Sequence, residues 1–97
     1  MAQIEFTAEA LRNLDRLFDF LAERDPGAAM AHQYAIRSAI EILSVHPQIG
    51  RPMSGRIREL VISIGKTGYL AMYSFRPQRD EVRVLAVRHQ REFDYRA

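Results

Sequence analysis

The chain has 97 residues, 47% of them hydrophobic and 27% charged, and this balance predicts one small globular domain spanning residues 1–97. The absence of cysteine excludes disulfides and cysteine-ligated metals, the three histidines lack ligand spacing, and neither a metal nor a cofactor is expected. The formal net charge is only +2, and no stretch approaches the ~20 apolar residues of a membrane span, so a cytoplasmic protein without a membrane partner is expected.

The first half of the sequence predicts a short strand followed by a helical hairpin. Residues 1–6 alternate as in a strand, and Thr7 is suited to cap a helix. Asp25-Pro26 ends that helix and begins the next, because proline disfavours a helical residue before it and suits a first helical position. The second helix is expected to end near Ser44. Apolar residues recur at helical spacing in both helices: Leu11, Leu14, Leu17, Phe18 and Leu21 in the first, and Ala29, Ile36, Ile40 and Leu43 in the second.

The second half changes to the alternating pattern of strands. Residues 46–55 contain two prolines and two glycines and are expected to form a loop. Strands are predicted at 57–64, 69–75 and 81–87, joined by short connections. The predicted fold is α+β, in the order β-α-α-β-β-β, with an antiparallel-dominated sheet and the helical hairpin on one face. Tyr69 and Tyr73 are expected in the core, whereas Glu59 is expected in a solvated charge pattern.

The two halves of the chain carry opposite charge. Residues 1–50 hold four arginines against seven acidic residues, a net −3, and residues 51–97 hold ten basic against five acidic residues, a net +5. All basic residues except Lys66 are arginines, whose planar guanidinium suits carboxylates and phosphates. An anionic partner is therefore expected on the second half, with a solvated, salt-bridged sheet surface as the alternative.

Three segments of the second half resemble a known family. They are Arg56-Ile-Arg-Glu-Leu-Val-Ile, Gly68-Tyr69-Leu-Ala-Met-Tyr73 and Val84-Leu-Ala-Val-Arg88-His89-Gln-Arg91-Glu92. In this order and spacing they resemble RelE/ParE superfamily toxins of type II toxin-antitoxin systems. The early Thr7-Ala-Glu-Ala-Leu-Arg-Asn-Leu segment agrees. The resemblance implies a toxin that a cognate antitoxin neutralises; an arginine-rich interaction module without toxicity is a further alternative.

The superfamily contains two activities on one scaffold. RelE-like members cleave messenger RNA on the ribosome, and an arginine commonly follows their Gly-Tyr pair, where this chain has Leu70. Leucine cannot donate to a phosphate, so a cation of the nuclease pattern is missing. The preferred hypothesis is a ParE-like protein that inhibits DNA gyrase without chemistry of its own. A RelE-like mRNA endonuclease that binds the ribosome stays the alternative.

The candidate site residues lie in the basic segments that match the family. His89 has the pKa range for acid-base work, although a histidine at a strand end more often packs or lies at the surface. The nuclease alternative stays open because a group of residues that follows the last predicted strand could meet Arg56 and Arg58 across the sheet: Arg88, His89, Arg91, Glu92 and Tyr95. No catalytic residue is assigned. The expected target- or antitoxin-binding residues are Arg56, Arg58, Arg83, Arg88, His89 and Arg91.

Overall fold

Two helices and a five-stranded sheet make up the fold, which a computed structural model describes for residues 1–91. The predicted α+β class is confirmed, with one additional strand. Short 3-10 turns follow the second helix and the fourth strand. The elements are β1 (Gln3–Phe6), α1 (Ala8–Ala22), α2 (Pro26–Glu41), β2 (Arg51–Ser54), β3 (Ile57–Ile64), β4 (Thr67–Arg76) and β5 (Glu81–His89).

Both helices begin at the predicted caps. The Thr7 hydroxyl accepts a hydrogen bond from the Ala10 N–H at 3.1 Å, and the Asp25 carboxylate accepts one from the Ala28 N–H at 3.1 Å. Each bond satisfies a backbone donor that the first turn of a helix leaves without a partner. Pro26 occupies the first position of α2, as predicted. Within residues 1–91, neither helix combines the length and apolarity that a membrane crossing requires.

The sheet order places the first strand beside the last. The order is β1-β5-β4-β3-β2; β1 runs parallel to β5, and the other neighbours are antiparallel. Helix α1 packs on β5 and α2 packs on β3, so the hairpin covers one face of the sheet. Tyr69 and Tyr73 are buried in the core on this face, which confirms their predicted role. Because side chains alternate along β4, Leu70 and Met72 lie on the opposite face.

The buried side of α1 differs from the predicted stripe. Leu14 and Leu17 are buried as expected, but Leu11 is 43% exposed, so its placement in the core was wrong. The helix instead turns Ala10 and Asn13 towards the sheet, and both are completely buried. A face centred on these residues leaves Leu11 at its margin, about 100° around the helix from Ala10.

A short strand, β2, interrupts the segment predicted as loop. It pairs with the start of β3 at the edge of the sheet, and all four of its residues are exposed. Proline is tolerated in an edge strand, because the missing N–H then faces no neighbouring strand. The register shifts between Pro52 and Ser54, a local irregularity that accommodates the proline. The prolines and glycines of this segment therefore led to the prediction of a loop where the structure has an edge strand.

The N-cap residue Thr7 and the helix residue Asn13 continue the hydrogen bonding along β5 where its pairing with β1 ends. The Thr7 N–H donates to the Val84 carbonyl at 3.0 Å, and the Thr7 hydroxyl donates to the Leu85 carbonyl at 3.1 Å. The Asn13 side-chain oxygen accepts from the Val87 N–H at 2.9 Å. Helix α1 is therefore fixed in register on β5 by polar contacts as well as by packing.

Candidate functional site

The predicted site residues fall at two ends of the sheet instead of meeting across it. Arg58 lies opposite Tyr73 on β4, whereas Arg88 lies opposite Leu70, three residues away along the same strand. Their side chains also point to opposite faces, because Tyr73 faces the helices and Leu70 does not. The expectation that the residues after β5 would meet Arg56 and Arg58 is therefore wrong for those described; Glu92 and Tyr95 lie outside the described residues.

Arg58 is engaged in holding the loop before β2. One guanidinium nitrogen donates to the carbonyl oxygens of Gln48 at 3.0 Å and Gly50 at 2.8 Å. The Gly50 N–H in turn donates to the hydroxyl of buried Tyr73 at 2.9 Å. Burial raises the pKa of Tyr73, while the Gly50 hydrogen bond and the Arg58 charge act against this rise. Arg58 therefore has a structural role in this loop. Arg58, Gly50 and Tyr73 together are called the loop latch below.

The glycine in this latch is required by space. A β-carbon at Gly50 would lie 2.7 Å from the Tyr73 ring and 2.9 Å from the Glu59 carbonyl oxygen. Atoms of real side chains do not approach backbone this closely, so any larger residue would push the loop off the sheet. The Gly50-Arg51-Pro52 sequence therefore fixes where β2 begins.

Glu59 is buried, against the expectation of a solvated position. Only 2% of the residue is exposed, and Arg51, its cross-strand neighbour on β2, donates two hydrogen bonds to one carboxylate oxygen. The Arg51 side chain itself is largely exposed. A buried carboxylate needs such charged donors, because burial without them would strongly disfavour its ionised form. Arg51, absent from the predicted site, thus has a defined role.

The remaining predicted arginines differ in how free they are to contact a partner. Arg83 is half-buried, with a guanidinium nitrogen 3.5 Å from Glu81 and 4.0 Å from Glu5. Arg88 is also half-buried and donates to the His89 carbonyl at 3.3 Å. Arg56, in the β2–β3 turn, and Arg91, just after β5, are exposed. These last two are the most accessible cations of the predicted set.

His89 is held by hydrogen bonds to both ring nitrogens. Nδ1 accepts from the Arg91 backbone N–H at 3.1 Å, which assigns the ring proton to Nε2. Nε2 then donates to the Thr67 hydroxyl at 2.7 Å. The ring also packs edge-on against Tyr69, with centroids 5.3 Å apart. His89 therefore fixes the chain after β5, and a reacting group would have to displace one of these contacts to reach it.

Tyr69 links His89 to the second helix. Its hydroxyl lies 2.9 Å from Nδ1 of His32, and the two rings meet edge-on. Burial raises the pKa of Tyr69, so the hydroxyl stays protonated over the ordinary pH range. Sequence reasoning gave no role to His32, since nothing in its spacing indicates a contact 37 residues away.

The described residues offer no site for a metal ion. Across residues 1–91, no three His, Asp or Glu side chains lie together in an arrangement that could hold one. The described site residues include the exposed guanidinium groups of Arg56 and Arg91. Such groups bind anionic or protein partners.

Comparisons with known proteins give the family. A family model for the ParE toxin of type II toxin-antitoxin systems, parDE, matches residues 4–93. Toxin RelE3 of Caulobacter vibrioides is 36% identical over 92 residues, covering 95% of this chain and 98% of that protein. Toxin RelE1 of the same organism is 33% identical over 67 residues, covering 69% of this chain and 72% of that protein.

A solved structure shares the fold. A chain of the chromosomal ParDE system from P. aeruginosa superimposes with a TM-score of 0.74 at 18% identity, over 92% of this chain and 96% of the other. The family match extends over both the helical hairpin and the sheet that the structure describes. The chain therefore belongs to the ParE toxin family, within the RelE/ParE superfamily of type II toxin-antitoxin systems.

Proposed function

We propose that this toxin acts by binding and inhibiting DNA gyrase. The observation that carries the proposal is Leu70, which stands where RelE-like nucleases commonly have an arginine. Leu70 lies between Val61 and Arg88 on the sheet face away from the helices. An apolar side chain there supplies no hydrogen bond to a phosphate in a cleavage transition state.

The environment of His89 supports the same proposal. A nuclease of this kind needs a group that moves a proton to or from the reacting oxygens. His89 instead holds Thr67 and the Arg91 backbone with its two ring nitrogens. An inhibitor that acts by binding alone needs no such group.

The proposed contact surface consists of the accessible arginines. Arg91 and Arg56 contact the target directly in this proposal, and half-buried Arg83 and Arg88 contribute charge beside them. Arg58 supports target binding indirectly, because it holds the loop latch. His89 does so because it positions the turn that carries Arg91. Arg58→Ala therefore changes the fold as well as the surface and is a poor test of binding.

The test is supercoiling by purified gyrase with increasing amounts of folded toxin. Wild-type protein is expected to inhibit, and Arg91→Ala to require about tenfold more protein or above, because one charge-assisted contact is worth about 1.5–3 kcal/mol. Arg24→Ala is a matched control, since Arg24 is an exposed arginine in the acidic half. Unchanged supercoiling at a large molar excess of wild-type protein would refute the proposal. Inhibition unaffected in Arg91→Ala and Arg56→Ala would refute only the surface.

The second candidate function is ribosome-dependent cleavage of messenger RNA. Three relatives from Caulobacter vibrioides carry the name RelE, and one of them, Toxin RelE3, matches nearly the whole chain. The test is primer extension on messenger RNA from a translating extract that contains the toxin. Cleavage at fixed codon positions would identify the toxin as a nuclease and contradict gyrase inhibition. The cleavage activities of His89→Ala and Arg91→Ala would then be compared.

Membership in the family implies a cognate antitoxin as partner. We propose that its toxin-binding segment is acidic and folds on contact with the +5 half of the chain. Binding of this kind raises the melting temperature of the toxin, and the rise grows with the logarithm of the antitoxin concentration once this exceeds the dissociation constant. Co-purification with the product of the adjacent gene tests the pairing, and an unchanged melting temperature at excess antitoxin would contradict it.

A further inference from the structure

The solvent side of α2 carries apolar side chains that the fold leaves uncovered. Met30 is 64% exposed and Tyr34 75%, and Ile42 and Val45 just beyond the helix are also exposed. Steps of three and four residues place these positions on one stripe of about 140°. The buried stripe of α2, with Ile36 and Ile40, faces the sheet on the other side.

The area of this stripe is close to what a specific protein interface requires. Complete contact between two such stripes would bury at most about 1,000 Å², which is the lower limit for a specific interface. Ile49, which is exposed in the loop after Val45, adds apolar surface near the Val45 end of the stripe. Tyr34 at the centre is the kind of aromatic side chain that dominates binding energy.

The charges on the stripe complement each other in one orientation. Arg37 and Glu41 are both exposed and lie one turn apart. Among the described residues neither has an ion-pair partner, although the Arg37 guanidinium lies 5.5 Å from the Phe6 ring centroid. In an antiparallel pair of α2 helices related by a two-fold axis between Ser38 and Ala39, the side chain of Arg37 in each copy comes within reach of Glu41 in the other.

We propose that the stripe binds the same stripe of a second copy, forming a two-fold symmetric dimer. The same axis sets Tyr34 against Ile42 of the second copy and Ala31 against Val45. Ser38 beside the axis and Ala31 are small enough for the helices to approach to 8–10 Å, the usual spacing of packed helices. The dimer leaves the sheet face opposite the helices accessible. This inference does not depend on which target the toxin has.

Sedimentation equilibrium of the full-length toxin, freed from antitoxin and refolded, tests the dimer. Wild-type protein is expected to dimerise reversibly with a micromolar dissociation constant, as weak interfaces of this size do. Glu41→Arg places like charges opposite Arg37 twice and should weaken the dimer about tenfold or more. The double variant with Arg37→Glu restores both pairs and should regain most of the affinity. Glu23→Arg, a charge reversal at the end of α1, is the matched control and should leave the constant unchanged.

The double variant is what separates self-association from other uses of the stripe. Tyr34→Ala should also weaken the dimer at least tenfold without loss of fold, because the side chain is mostly exposed. A wild-type monomer at all concentrations up to about 100 µM overturns the proposal. So does a dimer that Glu41→Arg leaves intact, or that the double variant fails to restore. If the monomer binds antitoxin and Tyr34→Ala abolishes that binding, the stripe is an antitoxin surface and the dimer is wrong.

Discussion

Replacing Tyr73 with phenylalanine isolates the contribution of a single hydroxyl to the fold. The Tyr73 ring is fully buried, so Tyr73→Phe keeps the packing and removes only the oxygen that accepts from the Gly50 N–H. That N–H lies in a buried hydrogen bond and is left without its acceptor. An unsatisfied buried donor costs about 1–3 kcal/mol. In a domain of this size each kcal/mol lowers the melting temperature by about 4–8 °C.

Urea unfolding of free wild-type and Tyr73→Phe proteins, followed by circular dichroism, measures this cost. Tyr69→Phe is the matched control, because within residues 1–91 the Tyr69 hydroxyl is hydrogen-bonded to the partly exposed His32 ring and to no backbone group. Its loss should cost less, about 0.5–1.5 kcal/mol. If the free energies of unfolding of Tyr73→Phe and wild type agree within about 0.3 kcal/mol, the Tyr73 hydroxyl does not stabilise the fold and the reasoning is wrong.

Three other substitutions or conditions follow from contacts in the same structure. Asn13→Ala removes the acceptor of the Val87 N–H and should lower the free energy of unfolding by about 1–3 kcal/mol; a urea midpoint equal to wild type would contradict this. Arg51→Ala removes a charged donor from buried Glu59 and should cost about 1–3 kcal/mol, whereas Arg56→Ala in the exposed turn should cost little in the same assay. The pKa values of Tyr69 and Tyr73 are raised, so the folded state keeps both hydroxyls protonated after the unfolded chain begins to ionise near pH 10. Their contribution to the free energy of unfolding is therefore fully present below pH 10 and is lost as the pH rises through the raised values. A titration of unfolding against pH should show a smaller loss in Tyr69→Phe than in wild type.

The sequence was informative where local pattern decides structure. The Asp25-Pro26 pair located the boundary between the helices, and strand alternation located β3, β4 and β5 to within two residues. The placement of Tyr69 and Tyr73 in the core followed from their shared side of one strand. Each of these inferences depends on neighbours within a few residues.

The sequence was uninformative where a partner comes from elsewhere in the chain. Glu59 is buried where the β2–β3 hairpin brings Arg51 beside it, and β2 itself was not predicted because Pro52 lies within it. Nothing in the sequence set Asn13 apart from other helix residues, because its side-chain oxygen accepts a hydrogen bond from Val87, 74 residues away. The sequence also did not show that Arg58 and Arg88 lie apart on the sheet, because their separation depends on strand register. Their role in binding a target or an antitoxin stays a prediction.

The pairing of β1 with β5 has a consequence for when the toxin can first exist in its folded form. The strands join residues 78 positions apart, and closing a loop of that length costs about 4 kcal/mol of chain entropy. This cost must be met before β1, Thr7 and Asn13 gain any of their contacts with β5, which places the step late and makes folding slow for so small a protein. A growing chain that has not yet released β5 from the ribosome lacks the strand on which α1 packs. The complete toxin surface therefore forms only after β5 has left the ribosome and is free to pair with β1.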